Sequence, residues 1–221
     1  METELQKILH QVFLRSPPNL FDEFMVECQK WYERPAHSLT EMRSRNNKKI
    51  RGDIYEEFCV LYLKHVKGYS TVWRLEDVPD TVLETLKMKR RDMGIDLIVD
   101  HGGYKAVQCK YKKRGLRKCS VTWAALSTFY ALCLRTGPWS SYIVMTTADY
   151  CSHQGEKTEK DMSFCIGSMR AITKEQWIQM CGLTGTMIPL PFVAPNAPSL
   201  EELRALRIAR FGIQSEAKGI E

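Results

Sequence analysis

Residues 94–111 read GIDLIVDHGGYKAVQCKY, two apolar runs around His-Gly-Gly. Paired glycines between β-branched and aromatic runs mark a hairpin, so the stretch predicts strands over about 95–99 and 104–111. Side chains two apart on a strand share a face. Asp96, Ile98 and Asp100 therefore lie on one face of the first strand, and Gln108 and Lys110 on one face of the second. If the strands pair through the turn, a carboxylate, an amide and an ammonium converge at one end of an apolar sheet. Burying such groups is costly unless they satisfy one another or a bound ion.

The surroundings of the hairpin define a fold class. Residues 1–48 read as helical, with Leu5, Ile8, Leu9, Val12 and Phe13 at helical spacing, a break at SPPN and a restart at FDEFMVECQKWYER. Gly52 and Asp53 are expected to open a stronger helix, IYEEFCVLYLKHV, which stops at Gly68. STVWRLEDV reads as a strand, PDTVLETLK as a short helix, VTWAALSTFYALCL as a helix and YIVMTTA as a buried strand. FCIGSMRAI is a candidate strand, and TKEQWIQMCG is a helix capped by Thr173. A proline-rich linker leads to a last helix, SLEELRALRIARF, opened by a capping box of Ser199 and Glu202. Strands mixed with helices predict an α/β domain with a central sheet.

Charge narrows the function. Between His101 and Ala148 there is no Asp or Glu, while Lys105, Lys110, Lys112, Lys113, Arg114, Arg117, Lys118 and Arg135 all fall there. The whole chain nets only +6, so the rest is slightly acidic. A block of one sign this long is expected to face a polyanion. None of the eight cysteines forms a CxxC pair and the five histidines are scattered, which argues against a zinc site or a disulfide framework. Reduced thiols, no apolar run of membrane-spanning length and an acid-bearing start predict an intracellular protein, neither secreted nor membrane-bound. There is no GxxxxGK[ST], so a P-loop motor is excluded.

The hairpin cluster suits phosphodiester hydrolysis. A hard cation such as Mg²⁺ takes oxygen ligands and keeps several waters. Asp96 supplies charge, and the carbonyl of Cys109 a neutral oxygen. A lysine beside such a metal, Lys110, helps to ionise the attacking water and to stabilise developing phosphorane charge. A further carboxylate is expected from the preceding helix. Glu56, with Cys59, Val60 and Leu63 on its stripe, points inward; Glu57 is the alternative. Asp92, four residues before Asp96, is another carboxylate for the metal or for its ligands.

GID, then AVQCK, preceded by YEEFCVLYLKHVKGY with a glycine twelve places after Glu56, resembles the PD-(D/E)xK nuclease superfamily, and within it the Mrr-like restriction endonuclease branch, which is similar in having Gln in the last half-motif. TFYALC and YIVMTTA are also similar to segments that follow the core of such nucleases. The resemblance implies a restriction-endonuclease-like α/β fold, with a central mixed β-sheet flanked by helices and helical N- and C-terminal extensions. It places the extension at 1–49, the nuclease core at 50–182, and the linker with its last helix at 183–221. It implies Asp96 as metal carboxylate, Gln108 as second ligand, Lys110 as catalytic lysine and Glu56 as helix glutamate, with Mg²⁺ as cofactor and Mn²⁺ as its substitute. Double-stranded DNA would be the substrate, its backbone held by Lys112, Lys113, Arg114, Arg117 and Lys118. Cleavage of both strands calls for a homodimer, with the apolar stripes of 1–34 and 199–211 as spare surfaces. The alternative is a catalytically silent or structure-specific, junction-type DNA-binding protein of the same fold.

Overall fold

The computed structural model describes residues 3–33, 38, 47–90, 94–113, 115, 117–152 and 158–182. All of them belong to one compact unit, Met1–Met187. The last helix expected at 199–211, the linker before it, Asp92 and Arg114 lie outside the described residues.

Helix α1 (Glu4–Arg15) is set by a reciprocal cap: Gln6 N–H donates to Thr3 Oγ1 at 3.2 Å, and Thr3 N–H donates to Gln6 Oε1 at 3.0 Å. It ends at Ser16 in the left-handed region, where the prolines that follow cannot continue it. Asn19 then caps α2 (Leu20–Glu33) by accepting from Asp22 N–H at 3.1 Å. Helix α3 spans Asn47–Leu61 and relaxes into a π-helical turn, Tyr62–Val66. Gly52 lies inside α3 rather than opening it. Tyr55, Phe58 and Cys59, on the turns that follow, are buried, and that packing outweighs the roughly 1 kcal/mol helix penalty of a glycine. Gly68, at φ +68°, ends the segment as expected, and Tyr69 N–H reaches back to Leu63 O at 3.0 Å.

Strands β1 (Thr71–Arg74), β2 (Leu97–Asp100) and β3 (Tyr104–Lys110) form an antiparallel meander. Between β1 and β2 lies α4 (Asp80–Thr85). Strand β4 (Ser120–Val121) and helix α5 (Trp123–Arg135) then cross over to β5 (Ser141–Thr146). β5 pairs parallel with β3, and β7 (Asp161–Phe164) pairs parallel with β5, so the sheet order is β1-β2-β3-β5-β7. The short β6 (Tyr150–Cys151) pairs with β4. The candidate strand FCIGSMRAI resolves differently: β7 ends at Phe164, and Ile166–Arg170 is helix α6, followed by α7 (Lys174–Met180) under the Thr173 cap. A short apolar run does not by itself separate helix from strand. The strand expected over STVWRLEDV stops at Arg74 and becomes a 3₁₀ turn, Leu75–Asp77.

Alternation along the strands builds two cores. Leu97, Val99, Val107, Cys109, Ile143 and Met145 face the cluster that includes Phe21, Phe24, Phe58 and Trp177. Ile98, Ala106 and Val144 face the cluster of Leu126, Phe129 and Trp139 on the α5 side. Leu5, Ile8, Leu9 and Val12 of α1 and Phe21 and Phe24 of α2 belong to the first cluster. The apolar stripes of the N-terminal helices, expected to be spare, are therefore covered by the chain's own core; Leu14 and Val26 stay exposed on the outer side.

Candidate active site

The hairpin register pairs Leu97 with Val107 and Ile98 with Ala106. One step before β2, Asp96 N–H donates to Val107 O at 2.9 Å, the residue already paired with Leu97, so the regular ladder ends here and the Asp96 side chain is placed by its own bonds. The turn that fixes this register places Gly102 at φ +62° and Gly103 at φ +109°. Asp96 Oδ2 accepts from Cys109 N–H at 2.6 Å and also from Gln108 Nε2. Two donors on one oxygen hold the carboxylate in place. Gln108 is 3 % exposed and also donates from Nε2 to Cys109 O at 3.4 Å. Its amide nitrogen thus faces Asp96, and its oxygen is turned toward Gly94: a Cβ built there would lie 3.5 Å from Gln108 Oε1. An amide nitrogen is a donor only, so Gln108 ligates a cation only after a half-turn of its amide.

Lys110 closes β3 on the same strand face as Gln108, two positions on. It is half-buried, its carbonyl accepts from Thr146 Oγ1 at 2.7 Å, and its ammonium makes no hydrogen bond or ion pair with a described residue. The Cys109 thiol is held well above its usual range, first by burial, then by the neighbouring Cys59 and the charges of Asp96 and Glu56. A thiol kept protonated is neither a nucleophile nor a thiolate ligand, so Cys109 offers the site its backbone alone.

Glu56 and Asp96 line one cavity of about 360 Å³ between α3 and the start of β2, together with Asp53, Glu76, Lys49, Arg74 and Arg90. Glu57 is not among the residues that line it. Asp53 and Glu76 are acids that the sequence alone did not single out. Asp53 was legible in principle, since it stands one helical turn before Glu56 on the same face; Glu76 comes from a turn whose position only the sheet fixes. Arg74 pairs with Glu76 at 3.0 Å, and Arg90 donates to Glu76 O at 2.5 Å and bridges to Asp80, so the cation side of the cavity is anchored. Carboxylates on one cavity are hard oxygen donors, which fits a Mg²⁺-type ion. Among the described residues no three His, Cys, Asp or Glu side chains form a metal-binding group. We expect Glu56→Ala to slow cleavage at least about tenfold and Glu57→Ala to leave it near wild type, measured as single-turnover rates; the reverse order assigns the helix carboxylate to Glu57.

Past β3 the chain is pinned to the end of β5: Lys112 N–H donates to Thr147 Oγ1 at 2.8 Å, and Thr147 Oγ1 donates to Lys112 O at 2.9 Å. Lys113, Arg117 and Lys118 are exposed beyond this anchor, and Lys112 is half-buried. None of the four pairs with a described acid. They follow the carboxyl end of a parallel strand, where open α/β sheets place their ligands.

Helix, antiparallel meander, crossover helix and parallel strand make a mixed five-stranded sheet flanked by helices, a restriction-endonuclease-like fold. A family model described as restriction endonuclease, Mrr_cat_2, matches residues 64–174. The chain belongs to this Mrr-like family of PD-(D/E)xK nucleases. No curated protein and no solved structure matches it. Among the described residues no helix is long and apolar enough to cross a membrane.

Proposed function

We propose that the protein is a Mg²⁺-dependent DNA endonuclease that cleaves both strands as a two-fold homodimer. The observation that carries this reading is the cross-strand pair Asp96–Gln108, with Lys110 on the same strand face and Glu56 on the same cavity as Asp96. Asp96 and Glu56 would hold the ion, with the Cys109 carbonyl and, after rotation, the Gln108 oxygen beside them. Bound there, Mg²⁺ supplies Lewis-acid polarisation of a phosphate oxygen and of its own waters. Lys110 brings an ammonium without a described partner to the reacting phosphate, where it stabilises the charge that develops in the transition state. Asp96 stays oriented because Cys109 N–H and Gln108 hold it. Plasmid cleavage with Mg²⁺ against EDTA tests the reading. Cutting in EDTA without added metal overturns the mechanism, and binding of DNA without cutting under any metal favours a silent, structure-specific binder.

The cations after β3 would hold the DNA backbone. Neutralising Lys113 and Arg114 together is expected to weaken binding to all sequences alike. It is also expected to lower the slope of log K against log salt by roughly 0.9 for each phosphate no longer neutralised. An unchanged slope assigns them to solvent. Two sites cut two strands, and a two-fold dimer matches the symmetry of a palindrome. With the inner faces of α1 and α2 already used, the dimer surface falls to their outer sides or to residues 199–211. Light scattering at micromolar protein is expected to give twice the 25.6 kDa chain mass; a monomer that still breaks both strands in one encounter rules the dimer out.

A further inference from the structure

A second cavity, about 540 Å³, opens between the turn after α4 and the outer face of α5. Its volume lies in the range of small-ligand sites, roughly 300–1,000 Å³. Lys87, Lys89 and Arg135 line it beside Met88, Leu132 and Thr128, and no acid is among the described residues that do so. None of the three cationic side chains makes a hydrogen bond or ion pair with a described residue. Three like charges around one hollow repel unless an anion joins them. The floor is of another kind: a thioether and a leucine side chain, surfaces that favour contact with an aromatic face. One residue of its lining, Thr128, also lies near Gln108. A Cβ built at Gly94 would lie 3.5 Å from Thr128 Cγ2 and 3.5 Å from Gln108 Oε1, so Thr128 and Gln108 flank the same glycine.

We infer that this cavity, resting on the DNA-nuclease reading above, takes one unstacked nucleotide of the substrate strand next to the scissile phosphate. Lys87, Lys89 and Arg135 would hold its phosphate, and Met88 and Leu132 its base. A cationic rim without an acid selects the phosphate, an apolar floor selects the base, and Thr128, on the cavity and beside Gly94, keeps the bound nucleotide near Gln108.

Full-length Lys110→Ala protein, used as a non-cutting binder, tests this. Duplex DNA carries 2-aminopurine at each position around the mapped cut in turn. One position is expected to brighten several-fold on binding, and Met88→Ala with Leu132→Ala to remove that signal. Lys87→Gln, Lys89→Gln and Arg135→Gln together, all at exposed positions, are expected to lower the salt slope by at least about 0.9. No brightening at any position, or an unchanged slope, while the wild-type protein still cuts DNA overturns the inference and leaves the nuclease reading standing. Wild-type protein that neither binds nor cuts DNA overturns both. Saturation by free deoxyadenosine monophosphate at micromolar concentration, with DNA binding indifferent to the three cations, overturns it in favour of a free-nucleotide site.

Discussion

Lys110→Ala is expected to reduce DNA cleavage by at least about 10²–10³-fold while unfolding at the same urea concentration as wild type. The ammonium makes no hydrogen bond or ion pair with a described residue, so no such bond among them is lost with it. Asp96→Ala is expected to be as inactive but also less stable. Asp96 Oδ2 accepts from Cys109 N–H and from the Gln108 amide, and Gln108 is 3 % exposed. Truncation strands the Cys109 N–H and leaves the Gln108 amide nitrogen only its 3.4 Å bond to Cys109 O, at about 1–3 kcal/mol for a buried group left unpaired. Single-turnover cleavage with urea titration of both variants separates the two roles. A Lys110→Ala protein that cuts at wild-type rate sinks the assignment of the lysine, and an Asp96→Ala protein of wild-type stability shows that the carboxylate does not hold the strand end.

The second large effect is on folding. Trp177→Ala is expected to destabilise the protein by about 3–5 kcal/mol. The indole is fully buried, its Nε1–H donates to Leu9 O at 3.0 Å, and its ring lies 6.3 Å from both Phe24 and Phe58. Removal empties a large volume and leaves the Leu9 carbonyl without that donor. Trp177→Phe keeps most of the volume and loses the bond, for about 1 kcal/mol from the bond itself. A loss under about 1 kcal/mol for Trp177→Ala would mean that α1 is an annex rather than part of the nuclease core. Urea unfolding followed by circular dichroism decides it.

The hairpin was legible because two local rules set it alone. Gly102 and Gly103 supply the positive φ values of the turn, and a two-residue period then puts Gln108 and Lys110 on one face of the second strand and brings the start of the first strand, where Asp96 lies, beside them. The Thr173 cap was legible for the same reason, since both of its bonds span three residues. The cavity acids were not all legible, because Glu76 joins Glu56 only through the packing of the turn after β1 near α3. Gly52 misled for the opposite reason: its local preference is real, but the buried residues on the turns after it decide the helix. The stripes on α1 and α2 revealed that they are covered, and not by what. That depends on a sheet whose first strand begins only at Thr71.

The bond between Trp177 and the Leu9 carbonyl joins positions 168 residues apart. Synthesis delivers roughly 5–20 residues per second, so α1 waits many seconds for the helix that seals it. Until α7 leaves the ribosome, the aromatic cluster behind α3 lacks its central ring, and the helix carrying Glu56 lacks its backing. A nascent chain therefore carries the hairpin and the basic segment before it carries a finished nuclease. The first helix and the last helix of the folded unit are thus tied together only when nearly the whole of it has been made.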